Sequence, residues 1–166
     1  MLRPEPLTAQ AFAPFGDVVE ASGAPKLVND GTAKSFADLA RVDIATGDGR
    51  PRVGIYHVVP YPLPLAIRML ERHALGSQLF MPLNGEPFLV VVAPPGDRID
   101  PTSVRAFVTN GRQGVNYGPG TWHHPLIALR NPSQFLVVDR GGPGRNYEEY
   151  GLESALLTLL YADRLG

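Results

Sequence analysis

Short apolar runs broken by turn residues set the pattern of this chain. Asp17-Val18-Val19-Glu20 reads as a strand, with a loop over 21–31 behind it. Further strand-sized runs follow at 52–58, 66–72, 77–81, 88–93, 104–110 and 135–139, rich in Val, Ile and Phe. Asn84-Gly85, Pro95-Gly96-Asp97, Asn110-Gly111 and Gly118-Pro119-Gly120 mark turns between them. Residues 36–44 fit a strand or a short helical turn equally, and their period does not decide. Many short strands at this spacing imply an all-β sandwich or closed barrel, because closure removes exposed strand edges. Only 152–165 shows helical spacing, with Leu152, Leu156, Leu159, Leu160 and Leu165 able to share a face. The expectation is an all-β fold with a short C-terminal helix packed across the barrel or a partner subunit.

Composition narrows this. A chain of 166 residues that is 44% hydrophobic and 19% charged suits one globular domain over 1–166. Gly 18 and Pro 17 favour short elements joined by turns over long helices. A net charge of −1 offers no basic field for nucleic acid. The longest apolar run, 88–93, is strand-sized, so no membrane span is expected. The start of the chain lacks the apolar core of a signal peptide, and the default expectation is a cytoplasmic location. Absence of cysteine excludes disulfide and thiolate chemistry.

The segment with chemical content runs from Leu70 to Gly85. On a strand, side chains alternate faces, so Glu71 and His73 point one way and Arg72 the other. A turn at Leu75-Gly76 opens a second strand carrying Gln78, and two adjacent strands can bring Glu71, His73 and Gln78 to one interior point. In isolation a Glu–His pair in a strand is more often a hydrogen-bonded surface pair. The spacing onward to Gln78 and Gly85 resembles the first cupin motif, with Glu71 in place of its first His and Gln78 in place of its Glu. Gly120-Thr121-Trp122-His123 resembles the second cupin motif, its proline displaced to Pro119. The set Glu71, His73, Gln78 and His123 would be a mixed N/O metal site suited to Ni, Mn, Fe or Zn. Gln78, being neutral, would leave it weaker than a full cupin set. Alternation lets only one of His123 and His124 face inward, and His124 is then the structural one.

The likeness extends further. Leu70-Glu71-Arg72-His73, Gly76-Ser77-Gln78, Phe80-Met81-Pro82, Phe107-Val108-Thr109-Asn110-Gly111, Gln113-Gly114-Val115-Asn116-Tyr117, Trp122-His123-His124-Pro125-Leu126 and Asp139-Arg140-Gly141-Gly142 resemble the ureidoglycolate lyase family. That resemblance implies a cupin-type barrel and a cytoplasmic homodimer that cleaves (S)-ureidoglycolate to glyoxylate and urea in allantoin and purine degradation. It implies Glu71, His73 and His123 as catalytic residues, with Glu71 the base. Lys34, Arg72, Gln78, Asn116, Trp122 and Arg140 would be substrate contacts, with Arg72, Lys34 or Arg140 holding the carboxylate. For Arg72 a salt bridge, for Arg140 an ion pair with Asp139, and for Trp122 plain packing stand as alternatives. The chain departs from the family pattern at Ser35, Ala37 and Gly118, where an arginine and two histidines are usual. The alternative functions are a cupin enzyme acting on another small hydroxy acid and a non-catalytic small-acid-binding cupin.

Overall fold

The computed structural model describes residues 1–152 and 158–159. Its strands form two main sheets. The larger runs in the order Glu5–Pro6, Arg105–Val108, Phe88–Ala93, Trp122–His123, Met69–Arg72 and Glu148–Gly151, with Ile127–Ala128 also pairing Phe88–Ala93. The smaller runs Gly16–Val19, Gly114–Tyr117, Gln78–Pro82, Ser133–Gly141 and Arg50–Val58. Pairing within both is antiparallel except for the parallel edge strand Glu5–Pro6. Two small ladders complete the set: Lys26–Val28 with Ala33–Ser35, and Leu65–Ala66 with Thr158–Leu159.

The strand Phe88–Ala93 shows how the sheets are layered. All six of its residues are buried, as a strand covered on both faces must be. Phe88, Val90 and Val92 join Phe80, Phe107, Val115, Tyr117, Phe135 and Val137 from both sheets, with Phe12 and Phe15 from the short helix Ala9–Phe12 and the turn after it. This cluster is the barrel interior. Leu89, Val91 and Ala93 join Leu70, Trp122, Ile127, Leu152 and Leu159 on the other face of the larger sheet. Edge-on ring contacts such as Phe88 with Phe135, centroids 4.9 Å apart, stiffen the interior. Fully burying one such side chain is worth roughly 1.5–3 kcal/mol, so these rings, rather than surface ion pairs, hold the barrel. The two facing sheets make a cupin-type β-barrel, as the strand pattern predicts.

Three expectations change in detail. Residues 36–44 are neither strand nor helix; two of their backbone N–H groups donate to side chains instead, Arg41 N to Asp17 Oδ2 and Asp43 N to Ser77 Oγ. The run 66–72 is two strands with a break at Ile67-Arg68. In the tail, Thr158 and Leu159 pair as a strand with Leu65–Ala66 rather than extending a helix. The rest of the expected helix, 153–157 and 160–165, lies outside the described residues.

Candidate active site

Register builds the site. On the larger sheet His123 lies directly opposite Glu71. On the smaller sheet a single cross-strand row runs from Arg52 to Asp139 to Gln78 to Tyr117. Residues in one row share a face, and this row looks into the barrel toward Glu71, His73 and His123. Between them opens a cavity of about 900 Å³, its wall including Arg52, Tyr56, Glu71, His73, Gln78, His123, His124, Arg140, Asn146 and Tyr147.

Backbone carbonyls fix both imidazoles. His73 Nδ1 lies 2.7 Å from Asn146 O, and His123 Nδ1 lies 3.0 Å from Thr121 O. A carbonyl can only accept, so each Nδ1 carries a proton and each Nε2 is the ring nitrogen turned to the cavity. Both Nε2 atoms are buried without a hydrogen-bond partner among the described residues. Tyr117 stacks on His123 with centroids 4.2 Å apart and 14° between planes, holding the ring from the other side. Glu71 Oε1 is 3.5 Å from His123 Nε2. Gln78 donates its amide N–H to Asp139 Oδ2 at 3.4 Å, which leaves its buried Oε1 without a partner.

Donor atoms of Glu71, His73 and His123 all lie within 4.8 Å of one another. Two imidazole Nε2 atoms and a carboxylate turned to one point fit a borderline divalent cation. Gln78 Oε1 adds an orphaned oxygen on the same cavity wall.

Charge states follow from surroundings. Burial pushes the Glu71 carboxyl up, but the facing His123 imidazole, the His73 ring and the Tyr147 hydroxyl outweigh it and hold it below the usual carboxylate value. Burial, helped by His123, holds His73 below the ordinary histidine value; burial does the same to His124. The Tyr147 hydroxyl donates to Glu149, and that bond, with burial and the charges of Glu71 and Glu149, pushes it up, so it keeps its proton.

Other expected contacts sit elsewhere. Arg72 points away from the cavity, as alternation requires; it donates to Glu148 Oε2 at 2.6 and 2.9 Å and to Gly96 O at 2.7 Å, with its guanidinium 4.5 Å over the Trp122 ring. Trp122 is packed in the outer core, its Nε1 donating to Gly96 O. Asn116 faces out of the barrel and bonds Asp17 Oδ2 and Arg41 O. Lys34 is exposed on the small Ala33–Ser35 strand. Ser35, Ala37 and Gly118 likewise stand outside the cavity wall.

Arg140 needs a correction. It does not pair with Asp139, because neighbours along a strand face opposite ways. Its Nε and NH2 donate to the carbonyls of Thr46, Gly47 and Pro143, tying two loops together behind the cavity. Gly76 lies against its stem so closely that a Cβ there would meet Arg140 Cβ at 2.7 Å. Asp139 instead pairs with Arg52, Nε to Oδ1 and NH2 to Oδ2, both 2.7 Å.

Sequence reasoning missed Arg52, Tyr56, Asn146 and Tyr147. Alternation within Arg50–Val58 puts Arg52 and Tyr56 on one face, a signal that was available. Asn146 and Tyr147 follow a Gly-Pro-rich turn with no period to betray them.

A sequence model of the family described as Ureidoglycolate lyase matches residues 1–158. The chain belongs to that family. A ureidoglycolate lyase of Burkholderia mallei (strain NCTC 10229) is 56% identical over 92% of this chain and 89% of that protein. One from Pseudomonas syringae pv. syringae (strain B728a) is 52% identical over 93% of this chain and 92% of its own length. Among solved structures, a dTDP sugar isomerase from Desulfovibrio desulfuricans G20 superposes with a TM-score of 0.48 at 18% identity, covering 86% of this chain and 87% of that one; at that distance it carries no argument.

The depressed groups predict a pH profile. The fold resists protonating His73 and His124, so their contribution to stability is complete above the free-histidine value of 6.5 and is lost as pH falls below it. Glu71 adds a further loss below its free value of 4.5. Urea midpoints measured between pH 8 and pH 5 should fall with acidification, and less steeply in His124→Gln. Midpoints that rise toward pH 5 would contradict the assignment.

Proposed function

We propose that this chain cleaves (S)-ureidoglycolate to glyoxylate and urea, within allantoin and purine degradation. The observation that carries the reading is the convergence of an ionised Glu71 with two imidazole Nε2 atoms that backbone bonds at Nδ1 turn to the cavity. Family membership supplies the substrate class. In this reading residues 1–166 act as one cupin-like domain in the cytoplasm.

The substrate carries hydroxyl, ureido and carboxylate groups on one carbon. Its cleavage breaks the C–N bond, forms C=O and moves one proton from the hydroxyl oxygen to the ureido nitrogen. One carboxylate can take that proton and return it, and Glu71, held ionised in a partly buried site, has the state to begin. His73 and His123 turn Nε2 toward the same point as Glu71 and border the space that the hydroxyl carbon would occupy. Tyr147 keeps its proton on the bond to Glu149 and lines the wall beside Glu71. Gln78 Oε1 accepts from a ureido N–H. A divalent ion held by Glu71, His73 and His123, with Gln78, supplies Lewis-acid polarisation of an oxygen when bound.

A homodimer accompanies this reading. The strand Arg50–Val58 is the outermost of its sheet and pairs on one side only. Val53 and Ile55 on it, and Val59 just beyond, are 67%, 50% and 72% exposed. A two-fold axis lets such an antiparallel edge meet its own copy, covering the open ladder and these side chains together.

Urea and glyoxylate should appear in equal amounts from racemic ureidoglycolate, faster than the spontaneous rate. Glu71→Gln should fold normally and lower turnover by about 10² or more; unchanged turnover in that variant removes Glu71 from the role. Calorimetric titration with Ni²⁺, Mn²⁺ and Zn²⁺ should show one site that His73→Ala and His123→Ala each abolish, and full binding by both variants rules the site out. Light scattering should give a dimer for the wild type and a monomer for Val53→Glu/Ile55→Glu. A monomeric wild type would rule the dimer out.

A further inference from the structure

We propose that Arg52 receives the carboxylate of the substrate and so sets the enzyme's preference for an acid over the matching amide. The inference rests on the lyase reading and deepens it by naming a residue that neither the motifs nor the family likeness singled out.

Elimination comes first. Among the described residues two arginines line the cavity, Arg52 and Arg140. Arg140 is 3% exposed, with Nε and NH2 committed to three backbone carbonyls. Arg72 and Lys34 are not on the wall. Arg52 differs from all of these. Its side chain is 59% exposed, and its bonds to Asp139 use Nε and NH2, leaving NH1 without a partner among the described residues.

Geometry then favours it. Asp139 is buried and grips Arg52 with both oxygens, so the planar fork is held in place before a ligand arrives. Little rotamer freedom remains to be lost on binding, which is how a prearranged arginine gains over a free lysine. Arg52 and Gln78 stand in one register row with Asp139 between them, two strand spacings or about 10 Å apart at the backbone. The long arginine side chain covers much of that distance. A carboxylate on NH1 would share the cavity wall with Gln78 and the Glu71–His73–His123 cluster. Charge agrees as well: Glu71 lies on this wall, Asp139 behind it and Glu149 opposite Glu71, and a further anion needs a cation with donors to spare.

Arg52 also touches Asp139, which orients Gln78, so a purely structural role must be separated from binding. Four proteins do this: wild type, Arg52→Ala, Asp139→Asn and Arg52→Ala/Asp139→Asn. Arg52→Ala should raise the KM for ureidoglycolate about 10- to 100-fold, the range for a lost charge-assisted hydrogen bond, with kcat changed far less. The double variant removes the charge that Arg52 neutralises. If Arg52 binds carboxylate, KM stays high there; recovery of wild-type KM shows that Arg52 only balances Asp139 and overturns the proposal. A fall in kcat with KM unchanged in Arg52→Ala overturns it too. Calorimetry with glycolate and glycolamide keeps the test independent of turnover. The wild type should bind glycolate at least tenfold more tightly than glycolamide, and Arg52→Ala should lose that preference. Should ureidoglycolate not turn over while this preference holds and is lost in the variant, the lyase reading fails and the Arg52 assignment stands. A wild type without the preference, or a variant that keeps it, overturns the assignment alone.

Discussion

The two-residue period of the strands, locked by cross-strand register, is the constraint on which everything else rests. His123 faces Glu71 because the short strand Trp122–His123 is pinned between Met69–Arg72 and Phe88–Ala93. Arg52, Asp139, Gln78 and Tyr117 face the same interior because four strands of the other sheet share one row. A slip of one residue in either ladder would turn polar groups outward and apolar ones inward together. Aromatic packing opposes such a slip. Phe80, Val115, Phe135 and Val137 occupy the inward positions of the same strands, so any register that moves the site also empties the core.

A polar cluster inside an apolar barrel is costly unless each group has a partner. Here most of the donors do. His73 and His123 give Nδ1–H to main-chain oxygens, Gln78 gives its amide hydrogen to Asp139, and Asp139 is neutralised by Arg52. What remains unpartnered is a short set of polar atoms, two Nε2 and one amide oxygen, opposite a carboxylate. Buried polar atoms gathered without partners favour a ligand or ion that completes them. The barrel thus carries local destabilisation in its interior, and the ring cluster that meets it through Tyr117 and Phe80 offsets it.

The sequence made the strands and the interior polar set legible because both depend on local period and spacing. The runs at 88–93 and 135–139, and the placement of Glu71, His73, Gln78 and His123, needed only alternation and a known order of turns. Arginine partners were not legible. Alternation says which face Arg72 takes but not that Glu148 waits there, seventy-odd positions later in the chain. Asp139 and Arg140 are neighbours in sequence and strangers in space, while Arg52 reaches Asp139 only through strand pairing. Residues 36–44 and Thr158-Leu159 were misleading for a related reason. Their conformations are set by distant partners, Asp17 and Ser77 in one case and Leu65–Ala66 in the other, and not by their own periodicity.

The same distinction bears on the departures at Ser35, Ala37 and Gly118. Loop positions vary readily because few contacts depend on them, whereas a position in a register row cannot change without disturbing its neighbours. All three departures lie off the cavity wall. Gly118 sits in a turn, its N–H bonded to Phe15 O. Ser35 ends a two-strand ladder separate from both main sheets. The wall itself is made by strands and by two loops that Arg140 ties down through Thr46, Gly47 and Pro143. Side chains of the outer loops therefore have little part in setting the inner arrangement, and the cation built into the barrel is placed by strand register instead. Arg52 stands there, fixed by Asp139 and open on its other side.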